Sequence, residues 1–112
     1  MSQITTHILD TSIGRPAQGV RITLLKKLGS DWHEVSTGIT NQDGRIGDLL
    51  ATDVKVEIGS YKMVFDTKAY FESHSQQVFY PSVSIEFEVF DQSHYHIPLL
   101  LNPFGYSTYR GS

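Results

Sequence analysis

The chain has 112 residues, twelve acidic against nine basic side chains for a formal net charge of −3, and 39% hydrophobic residues, which suits one compact domain over residues 1–112 with a sizeable core. It contains no cysteine, so disulfides, thiolate metal ligands and a thiol nucleophile are excluded. There is no basic stripe for nucleic acid and no apolar run long enough to span a membrane. The opening residues lack the positive start and apolar stretch of a secretory leader, and the final Arg110-Gly111-Ser112 is not a peroxisomal address of the Ser-Lys-Leu type, so a cytoplasmic location is expected.

Period-two alternation of apolar and polar residues runs through most of the chain. Residues 4–9 read as a first strand that ends in the turn-rich stretch Asp10-Thr11-Ser12-Ile13-Gly14-Arg15-Pro16. Residues 19–25 make a second strand, and 31–39 a third, with Trp32 expected in the sandwich packing. Asn41-Gln42-Asp43-Gly44 is a turn signal, with Gly44 able to take positive φ. Residues 54–58 and 60–65 read as strand segments joined through Gly59.

Residues 67–75 carry Tyr70, Phe71 and His74 at helical spacing, in a helix too short to stand without tertiary support. Tyr80-Pro81 leads back into the sheet. Residues 83–90 give the clearest strand, with Val83, Ile85, Phe87 and Val89 on one face and Ser84, Glu86 and Glu88 on the other. The last two strands are 94–101 and 104–110, separated by Asn102-Pro103. Leu99-Leu100-Leu101 is too apolar for a half-exposed strand, which predicts some cover from a subunit contact. Seven or eight short strands with one short helix predict an all-β antiparallel sandwich of two sheets.

Few ionisable residues sit where they need explaining. Residues two apart in a strand share a face, so His94 and His96 point the same way. Such a pair suits either a metal, with His7 as a third ligand, or a wet protein face. Taken alone, His7 reads as an edge histidine and Arg45 as a solvated post-turn arginine, although Arg45 also offers a planar, permanently charged fork to a carbonyl or carboxylate. No Gly-x-Ser-x-Gly elbow and no phosphate-cradling glycine loop is present, so any hydrolysis is expected to be water attack with a histidine base. The ending from Phe104 to Ser112 is aromatic and β-prone where chain ends are usually frayed, and so reads as packed in a sheet or against a neighbouring subunit.

Four motifs, in order, carry a family resemblance over nearly the whole chain. Thr6-His7-Ile8-Leu9-Asp10-Thr11 with Gly14-Arg15-Pro16-Ala17, then Thr40-Asn41-Gln42-Asp43-Gly44-Arg45, then His94-Tyr95-His96-Ile97-Pro98-Leu99-Leu100-Leu101, and finally Tyr109-Arg110-Gly111-Ser112, resemble those of the transthyretin-related 5-hydroxyisourate hydrolases. The resemblance implies a prealbumin-like sandwich of two four-stranded sheets. It also implies a homotetramer built as a dimer of dimers, with sites in its central channel. The implied reaction is cofactor-free opening of 5-hydroxyisourate in urate degradation. Carried over residue by residue, the implied catalytic set is His7, Arg45 and His96, the substrate-binding set is Tyr109, Arg110, Gly111 and Ser112, and no metal is used. Ser112 would bring its hydroxyl or a terminal carboxylate to the site, and His94 is expected to be supporting or structural. Which histidine is the base stays open.

A non-catalytic carrier of the transthyretin type is the alternative on the same fold, since a sandwich by itself implies no enzyme. In the carrier, lysine, glutamate, threonine and threonine stand where this chain has His7, Arg45, His96 and Tyr109. His33 and His74 lie outside every motif and are expected at the surface.

Overall fold

A computed structural model describes residues 1–112, and in it the alternating segments form two four-stranded sheets closed over one core. The elements in chain order are β1 (Ile4–Asp10), β2 (Arg15–Pro16), β3 (Arg21–Leu28), β4 (Asp31–Ile39), β5 (Gly59–Phe65), α1 (Thr67–Ser73), β6 (Val83–Val89), β7 (Tyr95–Asn102) and β8 (Gly105–Thr108). One sheet has the order β2-β1-β7-β8 and the other β4-β3-β5-β6. Every neighbouring pair is antiparallel except β1 with β7, which run parallel with Thr5 opposite His96 and His7 opposite Pro98. No helix is long and apolar enough to cross a membrane.

The pleat sorts side chains between core and exterior. In β1, Ile4, Thr6, Ile8 and Asp10 point inward and are buried, which leaves Thr5, His7 and Leu9 half-buried on the outer face. In β7, Leu99 and Leu101 are buried in the core, so the chain itself covers two of the three consecutive leucines and only Leu100 is left on the outer face. The facing sheet contributes Ile22, Leu24, Tyr61, Met63, Phe65, Val83 and Val89 to the same core. Helix α1 starts at Asp66, whose side chain accepts the Ala69 N–H. It is pinned by Tyr70, whose hydroxyl donates to the buried Asp10 carboxylate at 2.7 Å.

The structure departs from the sequence reading in a few segments. Residues 54–58 form no strand. The Val56 N–H is instead taken by the side-chain oxygen of buried Gln3 at 2.8 Å, and the Glu57 carbonyl accepts from the Tyr61 hydroxyl at 2.6 Å. Backbone groups already bound to side chains have no need of a ladder. Arg15-Pro16, read as turn, is a two-residue edge strand, a position where proline's missing N–H is tolerated. Trp32 is not part of the core. It lies on edge strand β4 with the Lys62 ammonium 4.4 Å from its ring centre. The last strand stops at Thr108, and Phe104 and Tyr109 remain 69% and 60% exposed within a single chain.

Candidate active site

The site lies on the outer face of the β2-β1-β7-β8 sheet, where strands from opposite ends of the chain lie side by side. β1 supplies Thr5 and His7, and β7 supplies His96, with His94 just ahead of it. The His94 and His96 rings stack with centroids 6.1 Å apart and planes 24° from parallel. The hydroxyl of Thr5 sits between them, 2.8 Å from Nε2 of His94 and 2.8 Å from Nδ1 of His96. Sequence reasoning missed Thr5. Its only sequence signal is that it lies two residues before His7 and so shares a face with it.

Arg45 reaches this face through a turn that leaves little freedom. Buried Thr40 anchors the turn, its hydroxyl accepting from Val20 N–H at 2.9 Å and donating to Ala17 O at 2.7 Å. The Asn41 side-chain oxygen accepts the N–H groups of Asp43 at 2.8 Å and Arg45 at 3.1 Å. Gly44 takes φ +72°, and its carbonyl accepts the Ile8 N–H at 2.9 Å. A Cβ at Gly44 would stand 2.4 Å from the Ile8 carbonyl oxygen, so only glycine lets the turn lie this close to β1. Arg45 therefore forms a backbone bridge to His7.

These neighbours set the charge of both imidazoles. Burial lowers the His7 pKa below its ordinary 6.5, and the Arg45 cation lowers it further, while a hydrogen bond to the Asp43 backbone and the Asp43 carboxylate oppose the shift. Burial also lowers the His96 pKa, followed by the positive charges of Arg45, His94 and His7. Both rings are consequently neutral at neutral pH, with a permanent cation beside them. That pairing can deprotonate a water and stabilise the charge developing on an attacked carbonyl oxygen.

A cleft of about 340 Å³ opens on this face, lined by Thr5, Arg45, Gly47, His94, His96 and Ser112, with Met1 and Ile46 among its few apolar neighbours. His7 is not among the residues lining the cleft; it shares the outer face of β1 with Thr5 and is bridged to Arg45. Tyr109 and Arg110 face a different hollow, an aromatic groove between the edge strands β6 and β8 that shares only His96 with the cleft. The Arg110 guanidinium lies 4.4 Å from the Tyr95 ring centre and donates to the His94 carbonyl at 3.3 Å, which ties the turn that carries His94. Gly111 separates the two hollows. Its N–H donates to the His96 carbonyl at 2.9 Å, and a Cβ there would stand 2.5 Å from Cδ2 of the His96 ring. His33 and His74 are exposed and remote from the cleft. No three His, Asp or Glu side chains converge as metal ligands would.

Two four-stranded sheets closed over one core, with histidines and an arginine gathered on one outer face, place the chain among the transthyretin-like sandwiches. The family model described as the HIUase/Transthyretin family matches residues 4–111, and the chain belongs to that family. It is 44% identical over 110 residues to the 5-hydroxyisourate hydrolase of Salmonella typhimurium, an alignment that covers 97% of this chain and 80% of that one. The solved 5-hydroxyisourate hydrolase of Klebsiella pneumoniae superposes with a TM-score of 0.86 at 36% identity, covering 97% and 98% of the two chains. Sea bream transthyretin in complex with thyroxine superposes with a TM-score of 0.92 at 30% identity, covering 98% and 95%. The fold is therefore shared between 5-hydroxyisourate hydrolases and a transthyretin solved with thyroxine, and any difference in function lies in the site.

Proposed function

We propose that the chain hydrolyses 5-hydroxyisourate in urate degradation, opening the six-membered ring to give 2-oxo-4-hydroxy-4-carboxy-5-ureidoimidazoline without a cofactor. The observation that carries this reading is that His96, Arg45, Thr5 and Ser112 line one cleft, in which burial and then the Arg45 cation hold the His96 pKa below its ordinary value. His96 takes a proton from a water as its oxygen bonds to the ring carbonyl carbon. Arg45 stabilises the oxyanion that forms. The C–N bond then breaks, and the proton held by His96 passes to the departing nitrogen. His7, neutral beside Arg45, is the second imidazole of the catalytic set. Ser112 binds substrate from the cleft wall, and Gly111 gives the ring of His96 its space. Tyr109 and Arg110 complete the wall from the groove side, Arg110 through its hold on the His94 backbone.

The same reading makes the protein a homotetramer. Strands β6 and β8 are free sheet edges beside one groove, and Phe90, Phe104 and Tyr106 are exposed at 60%, 69% and 45%. Unpaired edges and exposed aromatics call for a partner surface. Sedimentation at a mass four times the 12.6 kDa chain is the expected result, and a monomer at micromolar concentration would refute it.

The likeness to a thyroxine-binding structure keeps a carrier reading as the competitor. The test is the ultraviolet decay of 5-hydroxyisourate, generated in place from urate by urate oxidase, with the protein, without it, and with His96→Ala. Decay that is accelerated by the protein and not by the variant supports the hydrolase. A folded protein that leaves the spontaneous rate unchanged overturns that reading and favours the carrier.

A further inference from the structure

The Thr5 hydroxyl touches both histidines, and a hydroxyl has only one hydrogen to give. Oγ1 lies 2.8 Å from Nε2 of His94 and 2.8 Å from Nδ1 of His96, so it can donate to one ring only, with its lone pairs left to accept from the other. Both rings cannot be acceptors, and if both donated the Thr5 hydrogen would be left without a protein acceptor, because the two imidazole nitrogens are its only partners; two arrangements use every group. In the first, Thr5 donates to Nδ1 of His96, so His96 carries its proton on Nε2. In the second, Nδ1–H of His96 donates to Thr5, Thr5 donates to Nε2 of His94, and Nε2 of His96 is a bare lone pair.

The surroundings choose between them. Nδ1 of His96 is taken by Thr5 and Cδ2 lies against Gly111, so the ring edge left to the cleft is Cε1–Nε2. Arg45 lines that cleft and is permanently charged. A cation favours a lone pair over an N–H at a nitrogen that shares its cavity. His94 is kept in place as the final acceptor by Arg110, which donates to its carbonyl at 3.3 Å.

We propose that Thr5 and His94 are a positioning pair that holds His96 as its Nδ1–H tautomer, with the Nε2 lone pair directed into the cleft. The consequence for turnover rests on the hydrolase reading above; the tautomer itself is a property of the resting protein. A base must present a lone pair, and a ring locked in the opposite tautomer presents a donor instead. Thr5 is thus set apart from ordinary strand threonines by what its single hydrogen decides.

The test joins a spectrum to kinetics. Long-range ¹H–¹⁵N spectra of ¹⁵N-histidine-labelled protein at neutral to mildly alkaline pH read each tautomer directly, with His96→Ala identifying the signals of His96. Wild-type protein is expected to show a protonated Nδ1 and a bare Nε2 at His96. A protonated Nε2 overturns the proposal. Thr5→Val removes the hydroxyl at nearly constant shape, and His94→Phe leaves Thr5 free to donate to His96. Both are expected to move His96 toward the Nε2–H form and to lower kcat by roughly ten- to a hundredfold, with KM changed less than about twofold. Thr5→Ser keeps the hydroxyl and is expected to restore kcat to within about threefold of wild type. Unchanged kcat in folded Thr5→Val overturns the positioning role. If the wild-type spectrum is as expected but the protein does not accelerate 5-hydroxyisourate decay, the hydrolase reading fails and the tautomer assignment stands.

Discussion

Gly111→Ala tests whether the chain after β8 and the His96 ring are mechanically joined. The added Cβ would stand 2.5 Å from Cδ2 of His96 and 3.1 Å from Cγ of Pro98. Ordinary carbon–carbon contacts lie at about 3.5–4.0 Å, so the ring must retreat by roughly 1 Å while Pro98 blocks relief on the other side. Gly111 and Thr5 flank His96 from opposite neighbours of β7, so a retreat of that size drives Nδ1 against the Thr5 hydroxyl it already meets at 2.8 Å, and the ring must turn out of that hydrogen bond to escape. Misplacing a reacting group by about 1 Å costs on the order of 10²-fold in rate, or about 2.7 kcal/mol of barrier. The competing relief is for the chain to lift away from residue 110 onward. That sacrifices the Gly111 N–H to His96 carbonyl bond, worth about 0.5–1.5 kcal/mol, and carries Ser112 out of the cleft. The two routes separate kinetically: ring displacement lowers kcat, whereas loss of the Ser112 wall raises KM. The assay is 5-hydroxyisourate decay at several substrate concentrations, with urea unfolding expected to show a loss of no more than about 1.5 kcal/mol. A Gly111→Ala protein with kcat/KM within about threefold of wild type would refute the coupling.

Arg45→Glu removes the cation that holds the His7 and His96 pKa values down and puts a carboxylate in its place, so both values rise. The acid limb of kcat/KM should move to higher pH and turnover should fall by about 10²-fold or more, with circular dichroism unchanged because the side chain is exposed; an unmoved limb would show that Arg45 does not act on the histidines. Because the wild-type folded pKa values lie below 6.5, these two histidines contribute their full stability above that pH and lose it as pH falls through the lowered values. Urea midpoints compared above and below pH 6.5 should therefore show a smaller acid loss in Arg45→Glu. Gly44→Ala combines φ +72° with a Cβ 2.4 Å from a backbone oxygen that has no side-chain freedom, and should destabilise by at least about 2 kcal/mol in urea unfolding; a near-neutral result would mean the turn moves away from β1 at little cost. Tyr70→Phe strips one oxygen of the buried Asp10 carboxylate of its donor and should cost about 1–3 kcal/mol by the same measurement, with the kcat of folded protein unchanged.

The sequence carried most of the fold because a strand with one face in the core writes itself as alternation. Val83, Ile85, Phe87 and Val89 against Ser84, Glu86 and Glu88 is that pattern, and it is β6. The same pattern at residues 54–58 was misleading, because a backbone satisfied by Gln3 and Tyr61 leaves local alternation without a ladder to join. Trp32 was misjudged because bulk alone does not say which face of an edge strand it occupies; two lysines cover it on the outside. The parallel pairing of β1 with β7 has no local signature at all. In the site, the common face of His94 and His96 followed from a period of two, and Arg45, a solvated post-turn residue when read alone, followed from the motif resemblance. The assignment of Tyr109 and Arg110 to one hollow and Ser112 to another did not, since it depends on where Gly111 bridges back to β7. Thr5 stayed hidden because threonine is common in strands, and only the two nitrogens around its oxygen mark it out.

The Thr5–His96 contact joins residues 91 positions apart, across parallel strands that no hairpin connects. Closing so long a loop takes its entropy cost before any contact repays it, and folds dominated by such pairings form in milliseconds to seconds rather than microseconds. The cleft consequently exists only once the two ends of the chain have met. A chain still emerging from the ribosome, a collapsed intermediate or a β4-β3-β5-β6 sheet formed alone has no His96 beside Thr5 and no Arg45 bridged to His7. Turnover regained after dilution from denaturant therefore reports that both ends of the chain have paired, which strand content by itself does not.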